Sequence, residues 1–221
     1  MSKTVVLAYS GGLDTSVCVK WLAERGWRVI AFMANLGQGD PSTQAVKRAK
    51  VAGAARVIVR DLRTPFVTEF CWPALKAHAV YEGKYLLATA LSRPLIAAHL
   101  VDVAHAAGAT AIAHGCTGKG NDQVRFEVTA RILDPRLQIV APVREWEFRS
   151  REEEIEYALD HRIPIDVTKR SRYSRGRWLR RGPRVLRPRG ARRSAGGRAR
   201  WRAGTCPRRP RAPAGRASRI R

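Results

Sequence analysis

The residues best placed to do chemistry lie near the start of the chain, in Ala8-Tyr9-Ser10-Gly11-Gly12-Leu13-Asp14-Thr15-Ser16. Two adjacent glycines let a backbone turn tightly and approach a ligand with no Cβ in the way. Hydroxyls at Ser10, Thr15 and Ser16 add donors. An apolar run from Thr4 to Leu7 precedes the stretch and reads as a buried strand. The segment Thr15–Arg25 follows, and its Val17, Trp21 and Leu22 fall on one helical face. A strand–loop–helix junction of this kind points free N–H groups and the positive end of a helix dipole at the loop, which suits phosphate. Two common phosphate loops are excluded, because neither G-x-G-x-x-G nor G-x-x-x-x-G-K-[ST] is present here.

A second polar loop is His114-Gly115-Cys116-Thr117-Gly118-Lys119-Gly120-Asn121-Asp122-Gln123-Val124-Arg125-Phe126. Its glycines, amides, lysine and arginine follow another short apolar run, Thr110–Ala113. By composition alone it is a polar ligand loop.

Positioning these two loops requires a framework. Apolar strands are expected at Thr4–Leu7, Arg28–Ala34, Arg56–Asp61, Thr110–Ala113 and Gln138–Ala141. Helices should alternate with them, including one over Arg93–Ala107 and one opened by the capping box Ser150-Arg151-Glu152-Glu153. Gly26 suits a helix stop, while Asp40-Pro41 and Thr64-Pro65 suit helix starts. The alternation implies an α/β fold, a Rossmann-like parallel sheet with helices on both faces. Ligands in such sheets sit beyond the carboxyl ends of the strands, where both glycine loops fall. Phe66, Phe70, Trp21 and Trp72 are expected in the core. Lys47-Arg48-Lys50 is expected on a solvated helix face, and His78, His99, His105 and His161 lack ligand spacing.

The formal net charge of +24 on 221 residues divides unevenly. Residues 175–221 hold 18 Arg and no Lys, Asp or Glu, leaving +6 for residues 1–174, an ordinary balance for an enzyme. In that tail 37 of 47 residues are Arg, Gly, Pro or Ala, four residues whose codons are rich in G and C. It reads as GC-rich DNA translated out of frame, and with so little apolar content it is expected to be disordered. A nucleic-acid-binding tail is the alternative on charge alone. The four cysteines form no C-x-x-C pair, so neither a zinc site nor a disulfide framework is expected. No stretch has the length of a membrane span, Met1-Ser2-Lys3 leaves no room for a signal peptide, and a cytoplasmic protein is expected.

The pattern S-G-G-x-D-[ST]-[ST] resembles the PP-loop of ATP pyrophosphatases (adenine nucleotide alpha hydrolase-like proteins). Together with YEGKYLLATALSRPLIA at 81–97 and HGCTGKGNDQVRFE at 114–127, it resembles the argininosuccinate synthase family over residues 3 to about 174. The resemblance implies a ligase that uses ATP, with Mg2+, to join citrulline to aspartate through citrullyl-AMP, releasing AMP and pyrophosphate. It implies ATP contacts at Ala8, Tyr9, Ser10, Gly11, Gly12, Leu13, Asp14, Thr15, Ser16, Ala34 and Gly115. Thr117, Asn121 and Asp122 would hold aspartate. Tyr85, Asn121, Arg125 and Ser174 would hold citrulline, and Asp14, Lys119 and Arg125 would position charge during the reaction.

One position departs from the family pattern. Ala90 stands where the family commonly has serine, and Ser92 is no obvious substitute. The family is also expected to form a homotetramer through a C-terminal domain, in whose place residues 175–221 stand. The expected layout is therefore an ATP-binding domain over 1–174 followed by the tail, making no argininosuccinate at a useful rate. Another PP-loop enzyme and a nucleic-acid-binding protein remain as alternatives.

Overall fold

A computed structural model describes residues 3–38, 43–85 and 87–165. Asp40-Pro41, Ser174, the boundary at 174 and the tail from 175 lie outside the described residues.

Five strands form one sheet: β1 (Thr4–Ala8), β2 (Arg28–Asn35), β3 (Arg56–Asp61), β4 (Ala111–His114) and β5 (Gln138–Val140). Their spatial order is β3-β2-β1-β4-β5, and every neighbouring pair is parallel. The chain moves outward from β1 through β2 to β3, then returns to the other side of β1 for β4. That reversal leaves a crevice beyond the carboxyl ends of β1 and β4.

Each connection carries helix. In chain order these are α1 (Leu13–Glu24), α2 (Thr43–Val51), α3 (Arg63–Pro65), a π-helical turn (Phe66–Cys71), α4 (Trp72–Lys76), α5 (Ala88–Ala106), α6 (Asp122–Leu133), α7 (Pro142–Glu145) and α8 (Arg151–Asp160).

The strand period of two sends alternate side chains to opposite faces. Val5, Leu7, Val29, Ala31 and Met33 pack with Val17, Trp21 and Leu22 of α1, Ala49 of α2 and Ile155 of α8. Val6, Ile30, Phe32 and Ile112 pack on the other face, with Leu95 and Leu100 of α5 and Ala130 of α6. Both faces being covered explains why the strands read as apolar runs rather than as alternating ones.

Local chemistry sets most boundaries. Gly26 takes φ +78° after α1, and the Gly26 and Trp27 N–H groups donate back to Ala23 and Leu22. Ser150 Oγ accepts the Glu153 N–H at 3.2 Å, capping α8 as its sequence implies.

Other expectations are corrected. α5 begins at Ala88, not Arg93, after Leu87 in the left-handed region at φ +59°. Pro94 therefore lies inside it, with no N–H to offer the Ala90 carbonyl one turn back. The helix after β3 begins at Arg63, and the Asp61 carboxylate accepts the Arg63 N–H. Leu62, not Thr64, is therefore the N-cap, and it supplies no side-chain cap. Trp72 is 50% exposed and is not core.

Leu100 has no exposed surface and fastens α5 to the sheet. Leu100→Ala should lower unfolding stability by about 2–5 kcal/mol in a urea titration. A loss under about 1 kcal/mol would mean that this face of the sheet is loosely packed.

Candidate functional site

The loop after β1 is built from backbone. Gly11 takes φ +80°, and a Cβ there would lie 2.8 Å from the Ala45 Cβ. Glycine is required at that point by conformation and by space together. Gly12 differs: a Cβ would meet only Ser10 Oγ, at 3.5 Å. Gly12 is the N-cap of α1 and supplies no side-chain cap. The first helical bond runs from the Ser16 N–H to the Gly12 carbonyl. The N–H groups of Leu13, Asp14 and Thr15 therefore have no helical acceptor, and with the dipole behind them they have the character of a candidate anion site.

The hydroxyls divide into two sets. Ser10 Oγ and Thr15 Oγ1 lie 3.1 Å apart at the loop mouth. Ser16 is fully buried, and its hydroxyl donates to the Gly12 carbonyl at 2.7 Å while meeting Tyr9 Oη at 3.0 Å. Tyr9 in turn reaches the Ala45 carbonyl. Tyr9 and Ser16 thus brace the loop from below, and Leu13 turns its side chain into the core. Ala34 lies near the end of neighbouring β2, and its carbonyl accepts from Gln38 Nε2 in the following loop at 2.6 Å.

Arg48 overturns an expectation. It is only 7% exposed, and Nη1 donates to the Gly11 carbonyl at 2.6 Å. The signal was present in the spacing, since Arg48 shares a face with the buried Ala45, Ala49 and Ala52.

Asp14, in the first turn of α1, faces the first turn of α8. Arg151 Nη1 lies 3.5 Å from Asp14 Oδ1. Glu154, half-buried, has its carboxyl pushed up to about 8, first by burial and then by the Asp14 charge, with Arg151 opposing. The Arg151 guanidinium beside Asp14 offsets the negative charge that an approaching anion would meet there.

The second loop closes against the first. A Cβ on Gly115 would stand 3.1 Å from Thr15 Cγ2 and 3.7 Å from Cys18 Sγ. Buried His114 shapes the turn that follows. The Cys116 N–H donates to Nδ1 at 3.3 Å, which leaves Nε2–H to donate to Glu127 at 3.3 Å. Burial holds the His114 pKa below its ordinary value. Glu127 also accepts from Arg144, whose other nitrogen donates to Gln123, and Gln123 donates to the Gly118 carbonyl. Burial pushes the Cys116 thiol up to about 11, so it is no thiolate at neutral pH.

Farther along this loop, Asp122 opens α6. Arg93 Nε donates to Asp122 Oδ2 at 3.0 Å and Arg125 Nη1 to Oδ1 at 2.7 Å. Asn121 precedes it as N-cap, and Lys119 and Gly120 are exposed at the tip. Thr117 is exposed on the same loop.

Tyr85 lies on a separate exposed hairpin, where it pairs with Tyr81 through two backbone hydrogen bonds of 3.0 Å. Ser92 is fully buried and donates to the Thr89 carbonyl, so it cannot stand in for a hydroxyl at Ala90. The structure thus joins the first loop to Gly115 and joins Asp122 to Arg125. Arg48, Arg93, His114, Arg151 and Glu154 were absent from the expected set, because their partners are distant in sequence.

A family profile described as the arginosuccinate synthase N-terminal HUP domain matches residues 4–164. Argininosuccinate synthase from Desulforamulus reducens is 56% identical over 174 residues, 78% of this chain and 43% of that protein. The chloroplastic argininosuccinate synthase of Arabidopsis thaliana is 56% identical over 179 residues, 80% of this chain and 36% of that one. The chain spans less than half the length of these curated relatives. Among solved structures, a 4-thiouridine synthetase–RNA complex with bound ATP superimposes with a TM-score of 0.50 at 18% identity. The match covers 72% of this chain and 40% of that one, and bears on the fold alone.

Glu154 keeps its proton in the folded chain to about pH 8, whereas its ordinary value is 4.5. Between those limits the folded state binds more protons than the unfolded one, so stability falls as pH rises through that window. Glu154→Gln removes the dependence. Its melting temperature relative to the parent should rise between about pH 5 and about pH 8.5. A constant difference would show that Glu154 ionises normally.

Proposed function

The chain belongs to the argininosuccinate synthase family through that family's N-terminal HUP domain, and on that premise we propose that it binds ATP in the β1/β4 crevice and uses it to activate citrulline for condensation with aspartate. The observation that carries this reading is the meeting of the two glycine loops at Gly115 and Thr15. A phosphate chain can approach backbone there, with the Ser10 and Thr15 hydroxyls beside it.

In this reading the ureido oxygen of citrulline attacks the α-phosphorus and the bond to pyrophosphate breaks. The aspartate amine then attacks the ureido carbon and displaces AMP. The protein's work is orientation and charge stabilisation. The N–H groups of Leu13, Asp14 and Thr15, with the Ser10 and Thr15 hydroxyls, receive the charge gathering on pyrophosphate. Lys119, at the exposed tip of the second loop, is the cation this reading assigns to the phosphate charge. Asp14, matched by Arg151, orders the first turn of α1 without repelling the nucleotide. Arg125 offers a planar fork to the citrulline carboxylate, while Asp122 and Asn121 offer acceptors to the aspartate ammonium.

Among the described residues no three His, Cys, Asp or Glu side chains gather as a metal site, and Asp14 is already ion-paired. Magnesium is therefore proposed as the counter-ion carried in by ATP, with its oxygens drawn from phosphate and water. No helix among the described residues is long and apolar enough to cross a membrane. The free thiols of Cys18, Cys71 and Cys116 suit a reducing compartment, and the cytosol is the one proposed.

Gly12 allows a clean test, because the protein itself has room for a side chain there. Gly12→Val should fold normally yet lose ATP binding in calorimetry, since the branched side chain would occupy the path of the phosphates. Undiminished binding would remove this loop from the nucleotide site. Any turnover of ATP, citrulline and aspartate, slow as it is expected to be in this chain, should yield AMP and pyrophosphate. ADP and phosphate would contradict the proposed chemistry.

A further inference from the structure

Asp122 is held from two sides. Arg125, one turn on in α6, bonds Oδ1, and Arg93, reaching across from α5, bonds Oδ2. The ion pairs are 2.7 and 3.0 Å long, and all three side chains are largely screened from solvent, with 20–32% of each exposed. One carboxylate between two guanidiniums leaves a net charge of +1. Such a group can take one further carboxylate without excess charge.

The proposed function asks two things of this group that compete with the observed pairing. Arg125 is to receive a substrate carboxylate, yet one of its two terminal nitrogens already donates to Asp122. Asp122 is to receive a substrate ammonium, yet each of its oxygens already accepts one guanidinium bond. An exchange relieves the competition. A substrate carboxylate takes the place of Asp122 on Arg125, which frees Oδ1 to accept an ammonium. That exchange works only if Asp122 stays where it is when Arg125 lets go. Arg125 and Asp122 share a helix and would otherwise re-pair through the short i,i+3 contact. Arg93 comes from another helix and contacts the oxygen that Arg125 does not touch.

We propose that Arg93 is a positioning residue, which anchors the Asp122 carboxylate so that Arg125 can be surrendered to a substrate carboxylate and Oδ1 to a substrate ammonium. The inference rests on the proposed function, because it takes Asp122 and Arg125 as amino-acid contacts. Arg93 itself touches neither amino acid.

The test is calorimetric titration of the full chain with aspartate, in the presence and absence of citrulline, and separately with ATP. Arg93→Ala should weaken aspartate binding about tenfold to hundredfold, the scale of one charge-assisted hydrogen bond. ATP affinity should be unchanged. Arg93→Lys keeps the charge without the planar fork and should recover part of the loss. The decisive arm is the double-mutant cycle. In an Asp122→Asn background, Arg93→Ala should cost aspartate binding almost nothing more. A full additive loss there would mean that Arg93 acts on the ligand directly, and would overturn the positioning role. So would equal losses for ATP and aspartate in Arg93→Ala. Binding of ATP without any binding of aspartate to the parent chain would remove Asp122 from an amino-acid site and overturn the inference while leaving the nucleotide reading intact. Failure to bind ATP at all would instead overturn the nucleotide reading.

Discussion

Between the loops that follow β1 and β4 a methyl group would fit only if its neighbour gave way. A Cβ on Gly115 would come within 3.1 Å of Thr15. That close approach depends on the parallel pairing of the two strands, Val5 opposite Ala111 through Ala8 opposite His114, which brings both chains out at the same level. It depends also on the reversal of strand order beside β1, which keeps a crossover helix from filling the gap. Most of the remaining candidate site reads as a means of preserving this seam.

Each side of the seam is braced by polar groups that never need to meet a ligand. Below the first loop, Arg48, Tyr9 and Ser16 satisfy or contact the carbonyls of Gly11, Ala45 and Gly12. Below the second, His114 accepts the Cys116 N–H and passes a fixed tautomer on to Glu127. Buried polar groups are costly unless bonded, so networks of this kind hold one geometry against alternatives. What remains for a ligand is backbone N–H, a few hydroxyls and the +1 group around Asp122. Such a surface is fitted to holding anionic and zwitterionic small molecules in register, with the covalent chemistry left to the nucleotide.

The sheet is legible because its central strands, covered on both faces, are apolar runs, and the edge strands keep short apolar stretches. The glycine loops were legible because their composition is unusual and local. Arg48 was misread as solvated although its position in the alanine stripe of α2 argued otherwise. Arg93, Arg151 and Glu154 could not be found from spacing, since each acts across a gap of many residues that only the fold closes. The start of α5 was missed for a different reason. Proline is over-represented at the first helical position, but here Leu87 adopts a left-handed conformation and the helix opens before Pro94. Ala90 then sits beside a carbonyl deprived of its helical N–H, within a segment that carries three further non-glycine or glycine positive-φ residues at His78, Glu82 and Gly83. Backbone of this kind is seldom predictable from propensity, and it tends to gather where ligands bind.

The account stands or falls on where the nucleotide lies. Amide resonances of the full chain, followed by nitrogen–proton correlation NMR during titration with ATP, report that position residue by residue. The largest shifts are expected at Gly11 to Thr15 and at Gly115, with smaller ones at Ala34 and little change near the apolar hollow lined by Trp72 and Leu75. Shifts confined to that hollow, or an unperturbed Gly12 and Gly115 at saturating ATP, would contradict it.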